Sequence, residues 1–192
     1  PPRSTLFPYT TLFRSGYGFI EEYTMATLYR DCRIDRIWEG TNEINRQIIT
    51  GYIMKKALME ELPIQGAIRE IEQYMNNGKL ETDSEILFAE SNVVETSKRL
   101  ALFLLNEGIC EFGQDLKHQQ QIADILANIF IDIYVAESTV LRAKKMLGNP
   151  TSPPSVETVA KIFVAEMAQR MVQLAETALK GIYNGDLSPL MH

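Results

Sequence analysis

The side chains able to do chemistry are few, and their types narrow the options. Cys32 and Cys110, the two cysteines, lie far apart with no C-x-x-C spacing and no histidine-rich company, which predicts free thiols and no metal site. His118 and His192 are the only histidines, and neither has a Cys or Ser close in sequence to make a nucleophile and base pair. Both read as surface residues. That leaves the carboxylates, and one of them stands apart. In the run WEGTNEINR, residues 38–46, Glu39 is set between the aromatic ring of Trp38 and the glycine Gly40, with the hydroxyl of Thr41 next, just where an amphipathic pattern begins. A carboxylate in the right surroundings is a general base. An acid there is also explained by the helix dipole alone, which favours negative charge near an N-terminus by about 0.3–1 kcal/mol.

Whatever Glu39 does, the elements around it must hold it. Gly16-Tyr17-Gly18 reads as a turn, and residues 22–31 as a short helix. After the turn at Glu39-Gly40, Thr41 is placed as an N-cap with Asn42 and Glu43 in the first turn, and Ile44, Ile48 and Ile53 give apolar spacing. That helix should run to about residue 60, because Pro63 cannot continue it. Residues 60–85 carry seven acidic side chains against two basic ones, and read as a connector around one short helix over 65–75.

Three long helices follow. Thr82-x-x-Glu85 has the form of a capping box, and Ile86, Val93, Leu100 and Leu104 follow it, so a helix is expected over 84–108. Ile122, Ile125, Leu126, Ile129, Phe130, Ile133, Val140 and Leu141 form the stripe of a packed helix over 116–147, stopped by Gly148-Asn149-Pro150. A last helix starts at Ser152-Pro153-Pro154-Ser155 and presents Val156, Val159, Phe163, Met167, Leu174 and Ala178 up to Gly181. Such stripes are core packing, so their methionines and aromatics are assigned no cofactor. The predicted fold class is all-α, with an antiparallel bundle over 84–190, a connector over 61–83 and an earlier helical unit over 16–60.

The bulk numbers agree. A content of 45% apolar and 23% charged residues is globular, and a net charge of -6 offers no broad basic surface for nucleic acid. No apolar run approaches a membrane span and none has the shape of a secretory signal, so a soluble or at most peripheral chain is expected. Residues 1–15, PPRSTLFPYTTLFRS, behave unlike the rest: Thr-Leu-Phe occurs twice, at 5–7 and 11–13, without helix or strand period. Residues 5–15 look like the translation of a sequencing adapter, so residues 1–15 are expected to be an unstructured artefact, the biological sequence to start at Gly16 and its natural upstream part to be missing.

The segment GYGFIEEYTMATLYRDCRIDRIWEGTNEINRQII, residues 16–49, resembles the end of the catalytic domain of the acyl-CoA dehydrogenases. In that family a Gly-Gly-x-Gly turn is followed, after a Tyr, by Arg-Asp, then by aromatic-Glu-Gly-Thr and a helix. Gly16, Gly18, Tyr23, Arg30, Asp31, Trp38, Glu39, Gly40, Thr41 and Arg46 all fall in register. Residues 57–190 resemble, by pattern and order, the extra C-terminal domain of the very-long-chain branch.

The resemblance implies oxidation of the α,β bond of a fatty acyl-CoA: a base takes the α proton and the β hydrogen leaves as hydride to FAD. Glu39 matches the base. Gly40 matches a position that lets the substrate approach the backbone, and the Glu39 N–H one that bonds the thioester oxygen as enolate charge develops. Thr41 and Glu43 match flavin-contacting positions, Glu43 departing from the amide often found there. Gly16 matches a position near the ADP portion, reached from a partner subunit. Trp38 replaces the usual Tyr or Phe and either walls the acyl pocket or simply packs. Arg30, Asp31, Arg33, Asp35 and Arg36 are read as a solvated or ion-paired face.

An ordinary Glu titrates near about 4.3, and a base efficient at neutrality needs roughly 7, which asks about 4 kcal/mol of the environment. In the family that comes from burial under substrate and flavin, bound mostly by upstream domains. The isolated chain is therefore expected to hold no FAD and to turn over no acyl-CoA. An electron-transfer flavoprotein as acceptor, a homodimer and a bacterial cytoplasmic setting, with the mitochondrial matrix as the other option, complete the expectation. The competing reading is a non-catalytic helical module for dimerisation or membrane association, carrying Glu39 by descent. Very-long-chain relatives reach membranes through a basic amphipathic segment, and residues 60–85 here are acidic.

Overall fold

A computed structural model describes residues 20–77, 85–149, 151–153 and 155–185, with the side chains of 72 and 74–77 excepted. Gly16, Gly18, the adapter-like start, Thr82 of the capping box and His192 lie outside the described residues. Among the described residues there are six α-helices, one 3-10 turn and no strand: α1 (Thr24–Ile34), α2 (Asn42–Leu58), α3 (Ile64–Asn77), α4 (Phe88–Phe112), the 3-10 turn (Gly113–His118), α5 (Gln120–Leu147) and α6 (Ser155–Ile182). The chain divides into two compact units, Pro1–Asn45 and Arg46–His192. None of the described helices is long and apolar enough to cross a membrane.

In the second unit, α4, α5 and α6 form the bundle. Lys98 pairs with Glu137 at 2.6 Å and Lys144 with Glu85 at 2.9 Å, so α4 and α5 run antiparallel. Arg170 grips Asp132 through two hydrogen bonds of 2.7 and 3.2 Å, while Gly181 faces Ile122 and Ser152 donates to the Met146 carbonyl, which sets α6 antiparallel to α5. The Tyr183 hydroxyl donates to Glu107, closing α6 against the end of α4. On the outside, α3 packs on α4 with Arg99 bonded to Glu70. From residue 46 onward α2 rides on the start of α5: Thr50, buried, donates to the Ala123 carbonyl at 2.6 Å, and Arg46 bonds Asn128 at 2.8 Å.

The core seam of α5 is Ile122, Leu126, Ile129, Ile133, Ala136, Val140 and Ala143, alternating four- and three-residue steps as in left-handed helix packing. Alanines let the backbones approach: Ala101, Ala123, Ala127, Ala136, Ala160 and Ala178 are all essentially inaccessible. Leu104, Leu105, Leu116, Leu126, Ile129, Met167 and Ile182 supply the bulk. Each such side chain, fully withdrawn from water, stabilises the fold by about 1.5–3 kcal/mol.

Several expectations shift. Leu141 and Val159, placed in the core by their periodicity, are 61% and 60% exposed, because the seam turns toward the neighbouring alanines instead. The helix expected over 84–108 begins at Phe88: Leu87 is buried with a left-handed φ of 57°, and its burial overrides the upstream cap signal. Gly108 does not end that helix. A Cβ there would sit 3.1 Å from Leu116 Cδ1, so the glycine serves close packing, and the stop falls at Gly113 with φ 56°. The helix expected from 116 starts at Gln120, because residues 113–118 tighten into a 3-10 turn that buries Leu116. On α2, Ile44 and Ile48 are exposed, and the residues buried on that helix are Thr50 and Met54.

Candidate active site

Glu39 sits in the first unit, in the turn between α1 and α2. Helix α1 buries Ala26 and keeps Arg33 in its last turn, as the dipole favours. Its end is carried on by hydrogen bonds from Ile37 N to Ile34 O at 2.9 Å and from Trp38 N to Ile34 O at 3.1 Å. The chain then reverses through two consecutive left-handed residues, Glu39 at φ 52° and Gly40 at φ 95°. A non-glycine residue there carries about 1–2 kcal/mol of backbone strain. A side chain at Gly40 would be strained by its φ of 95°, and its Cβ would lie 2.8 Å from Asn45 Oδ1, which would have to move.

Thr41 caps α2, accepting a hydrogen bond from Ile44 N at 3.4 Å, at the long end of useful geometry. Asn45 Nδ2 donates to the Gly40 carbonyl at 2.9 Å, and Asn45 N is itself anchored on Thr41 O at 2.9 Å. Nothing in the apolar pattern marked Asn45, and only an Asn placed five residues after a glycine hints at it. Asp35 and Arg30, read as solvated or ion-paired, divide the roles: Asp35 accepts from the Trp38 indole at 3.0 Å, and Arg30 pairs with Glu21 at 2.6 Å.

Trp38, Glu39 and Glu43 are therefore exposed, Gly40 and Thr41 half-buried, and all five lie within one turn and the first turn of a helix. Trp38, next to Glu39 in the chain, is 57% exposed. The Glu39 N–H makes no hydrogen bond among the described residues and is available to an acceptor. A carboxylate, an aromatic side chain and a backbone donor thus fall on one stretch of chain, a set that could meet one side of a flat, apolar ring system. No group of His, Cys, Asp and Glu among the described residues could hold a metal ion, and Cys32 and Cys110 are free and exposed. His118 is exposed as well.

Comparison with known proteins bears on this arrangement. Two sequence profiles described as "Acyl-CoA dehydrogenase, C-terminal domain" match, one over residues 95–191 and one over residues 12–54. The chain is 35% identical over 179 residues to a Bacillus subtilis (strain 168) protein named "Probable acyl-CoA dehydrogenase", covering 92% of this chain and 30% of that protein. It is 46% identical over 66 residues to a butyryl-CoA dehydrogenase of Syntrophomonas wolfei, covering 33% of this chain and 10% of that one. Over 41 residues it is 46% identical to the "Caffeyl-CoA reductase-Etf complex subunit CarC" of Acetobacterium woodii, 21% of this chain and 11% of the relative. The crystal structure of an acyl-CoA dehydrogenase complexed with FAD from Bacillus anthracis superposes with a TM-score of 0.80 at 32% identity, covering 95% of this chain and 32% of that one. The chain thus spans about a third of the length of these relatives. With one profile reaching across half of the sequence and the other across the Glu39 turn, the chain belongs to the acyl-CoA dehydrogenase family.

Proposed function

We propose that this chain is the C-terminal part of an FAD-dependent acyl-CoA dehydrogenase in which Glu39 removes the α proton of a long-chain fatty acyl-CoA. The observation that carries the reading is the Glu39–Gly40 turn, where two consecutive left-handed residues present an exposed carboxylate that directly follows an exposed Trp38 in the chain. FAD, when bound, supplies the acceptor for the β hydrogen. Thr41 and Glu43 would hold it from this segment, and Gly16 from outside the described residues. The chain's own groups do the rest. Glu39 takes the proton, its N–H steadies the thioester oxygen as negative charge grows there, Gly40 leaves room for the thioester, and Trp38 covers the acyl chain.

Support for FAD comes from the complex named for the Bacillus anthracis relative. Support for a long acyl chain comes from the helical region 57–190 and its likeness to the very-long-chain branch. An electron-transfer flavoprotein is the proposed acceptor, in line with the complex named for the Acetobacterium woodii relative. A homodimer is part of the proposal, and the exposed Ile48 and Tyr52 of α2 are apolar side chains that such a contact could cover. The bacterial cytoplasm fits the bacterial relatives. We further propose that the 192-residue chain alone holds no flavin and turns over no acyl-CoA, since it spans about a third of the Bacillus relatives that it matches. The test is Glu39→Gln in the full-length protein. Loss of dehydrogenation with flavin retained supports the reading, and unchanged turnover removes Glu39 from the mechanism.

A further inference from the structure

Glu39 has no hydrogen bond or ion pair on its carboxylate among the described residues, so the direction of that side chain depends on the backbone beneath it. That backbone is held in an unfavourable left-handed conformation at two successive residues. The contacts available to hold it are unequal. Thr41 Oγ1 to Ile44 N and Asn42 N to Arg36 O are both 3.4 Å, whereas Asn45 Nδ2 reaches the Gly40 carbonyl at 2.9 Å. The same side chain lies against Gly40, its Oδ1 2.8 Å from where a Cβ would stand. Asn45 is exposed, so core packing does not explain it, and Asn is a weak helix former, so helix propensity does not explain it either.

We propose that Asn45 is a positioning residue: by clamping the Gly40 carbonyl from the first turn of α2, it fixes the Gly40–Thr41 peptide plane and so holds the left-handed turn from which the Glu39 carboxylate projects. The assignment rests on the reading of Glu39 as the base and adds to it the group that holds the base in place.

Two experiments decide it. In the 192-residue chain, NMR of the wild type should show left-handed Cα and Cβ shifts at Glu39 and slowed exchange of the Asn45 side-chain amide. Both should move toward random-coil values in Asn45→Ala and in the near-isosteric Asn45→Asp, which loses the donor; shifts at Glu39 that stay unchanged overturn the clamp. In the full-length flavoprotein, either Asn45 variant should lower kcat by about ten- to a hundredfold, as expected for a catalytic group displaced by up to 1 Å. KM should stay within about twofold and FAD content should be unchanged, as the K_M-independent loss of a transition-state contact requires. Ala is the better helix former, so α2 is not weakened by that variant, and Asp decides the matter if Ala proves unstable. In a Glu39→Gln background, Asn45→Ala should cause no further loss, because no base is left to aim. An equal loss in both backgrounds, or a wild-type kcat, overturns the Asn45 assignment alone. A Glu39→Gln protein that works at the wild-type rate overturns the assignment and the reading beneath it together.

Discussion

Leu126 and Leu141 are the same residue type on the same helix, and periodicity puts both in the core. The fold separates them: Leu126 is 0% exposed and Leu141 61% exposed. Truncating Leu126 to Ala removes apolar contacts within the core cluster and leaves a hollow whose neighbours relax only partly, which costs about 2–5 kcal/mol. Leu141→Ala removes a side chain already mostly in water, and should fall within about 0.5 kcal/mol of wild type. For a chain of this size about 2–4 °C of Tm accompanies each kcal/mol, so a loss of ~3 kcal/mol at Leu126 lowers Tm by roughly 6–12 °C. Thermal and urea denaturation followed by far-UV circular dichroism measures both variants under one condition. Equal destabilisation by the two truncations, or a harmless Leu126→Ala, would show that the alanine-lined seam of α5 is misplaced.

Two further predictions rest on other parts of the bundle. Gly108→Ala gains about 1 kcal/mol of helix propensity but drives a Cβ to 3.1 Å from the fully buried Leu116, and an overpacking cost of about 1–3 kcal/mol leaves an expected net loss of up to about 2 kcal/mol. Gly51→Ala on α2 meets nothing within 4 Å and should stabilise by about 0.5–1 kcal/mol; a higher melting temperature for both variants would refute the close contact at Leu116. The Tyr183 phenol is pushed up to about 12 by its hydrogen bond to Glu107, with burial adding to the effect. A folded-state value above the unfolded one means that this stability is fully present below about pH 10 and is lost as pH rises toward 12. Solvent screening at the bundle's edge holds the contribution to about 1 kcal/mol. The urea-midpoint gap between wild type and Tyr183→Phe should therefore narrow between pH 9 and about pH 11.5; a constant gap would exclude the Tyr183–Glu107 bond as its source.

Much of the fold is legible in the residues because long helices with large apolar side chains on one face have few ways to bury them. The order of α4, α5 and α6 and their stops at Gly148 and beyond follow from that pattern. What periodicity misses is the use of small residues. Ala136 and Ala143 belong to the seam of α5, while Leu141, larger and more hydrophobic, lies outside it, as Val159 lies outside the core on α6. Helix ends fail for a related reason, since Gly108 reads as a terminator when its missing side chain is what admits Leu116. At the Glu39 turn, residue types single out the carboxylate, the glycine and the cap. The positive φ at Glu39 and the reach of Asn45 to the Gly40 carbonyl are tertiary facts with no periodic signature.

The central claim is that Glu39 takes a proton from the carbon next to the thioester. Its most direct measure is exchange of that α hydrogen with solvent deuterium, followed by NMR of acyl-CoA incubated with the full-length flavoprotein in D2O. The wild type should exchange the α position. Glu39→Gln, with its flavin still bound, should exchange it about 10²–10⁴-fold more slowly, the usual worth of a positioned general base. Exchange at the wild-type rate in Glu39→Gln would contradict the account.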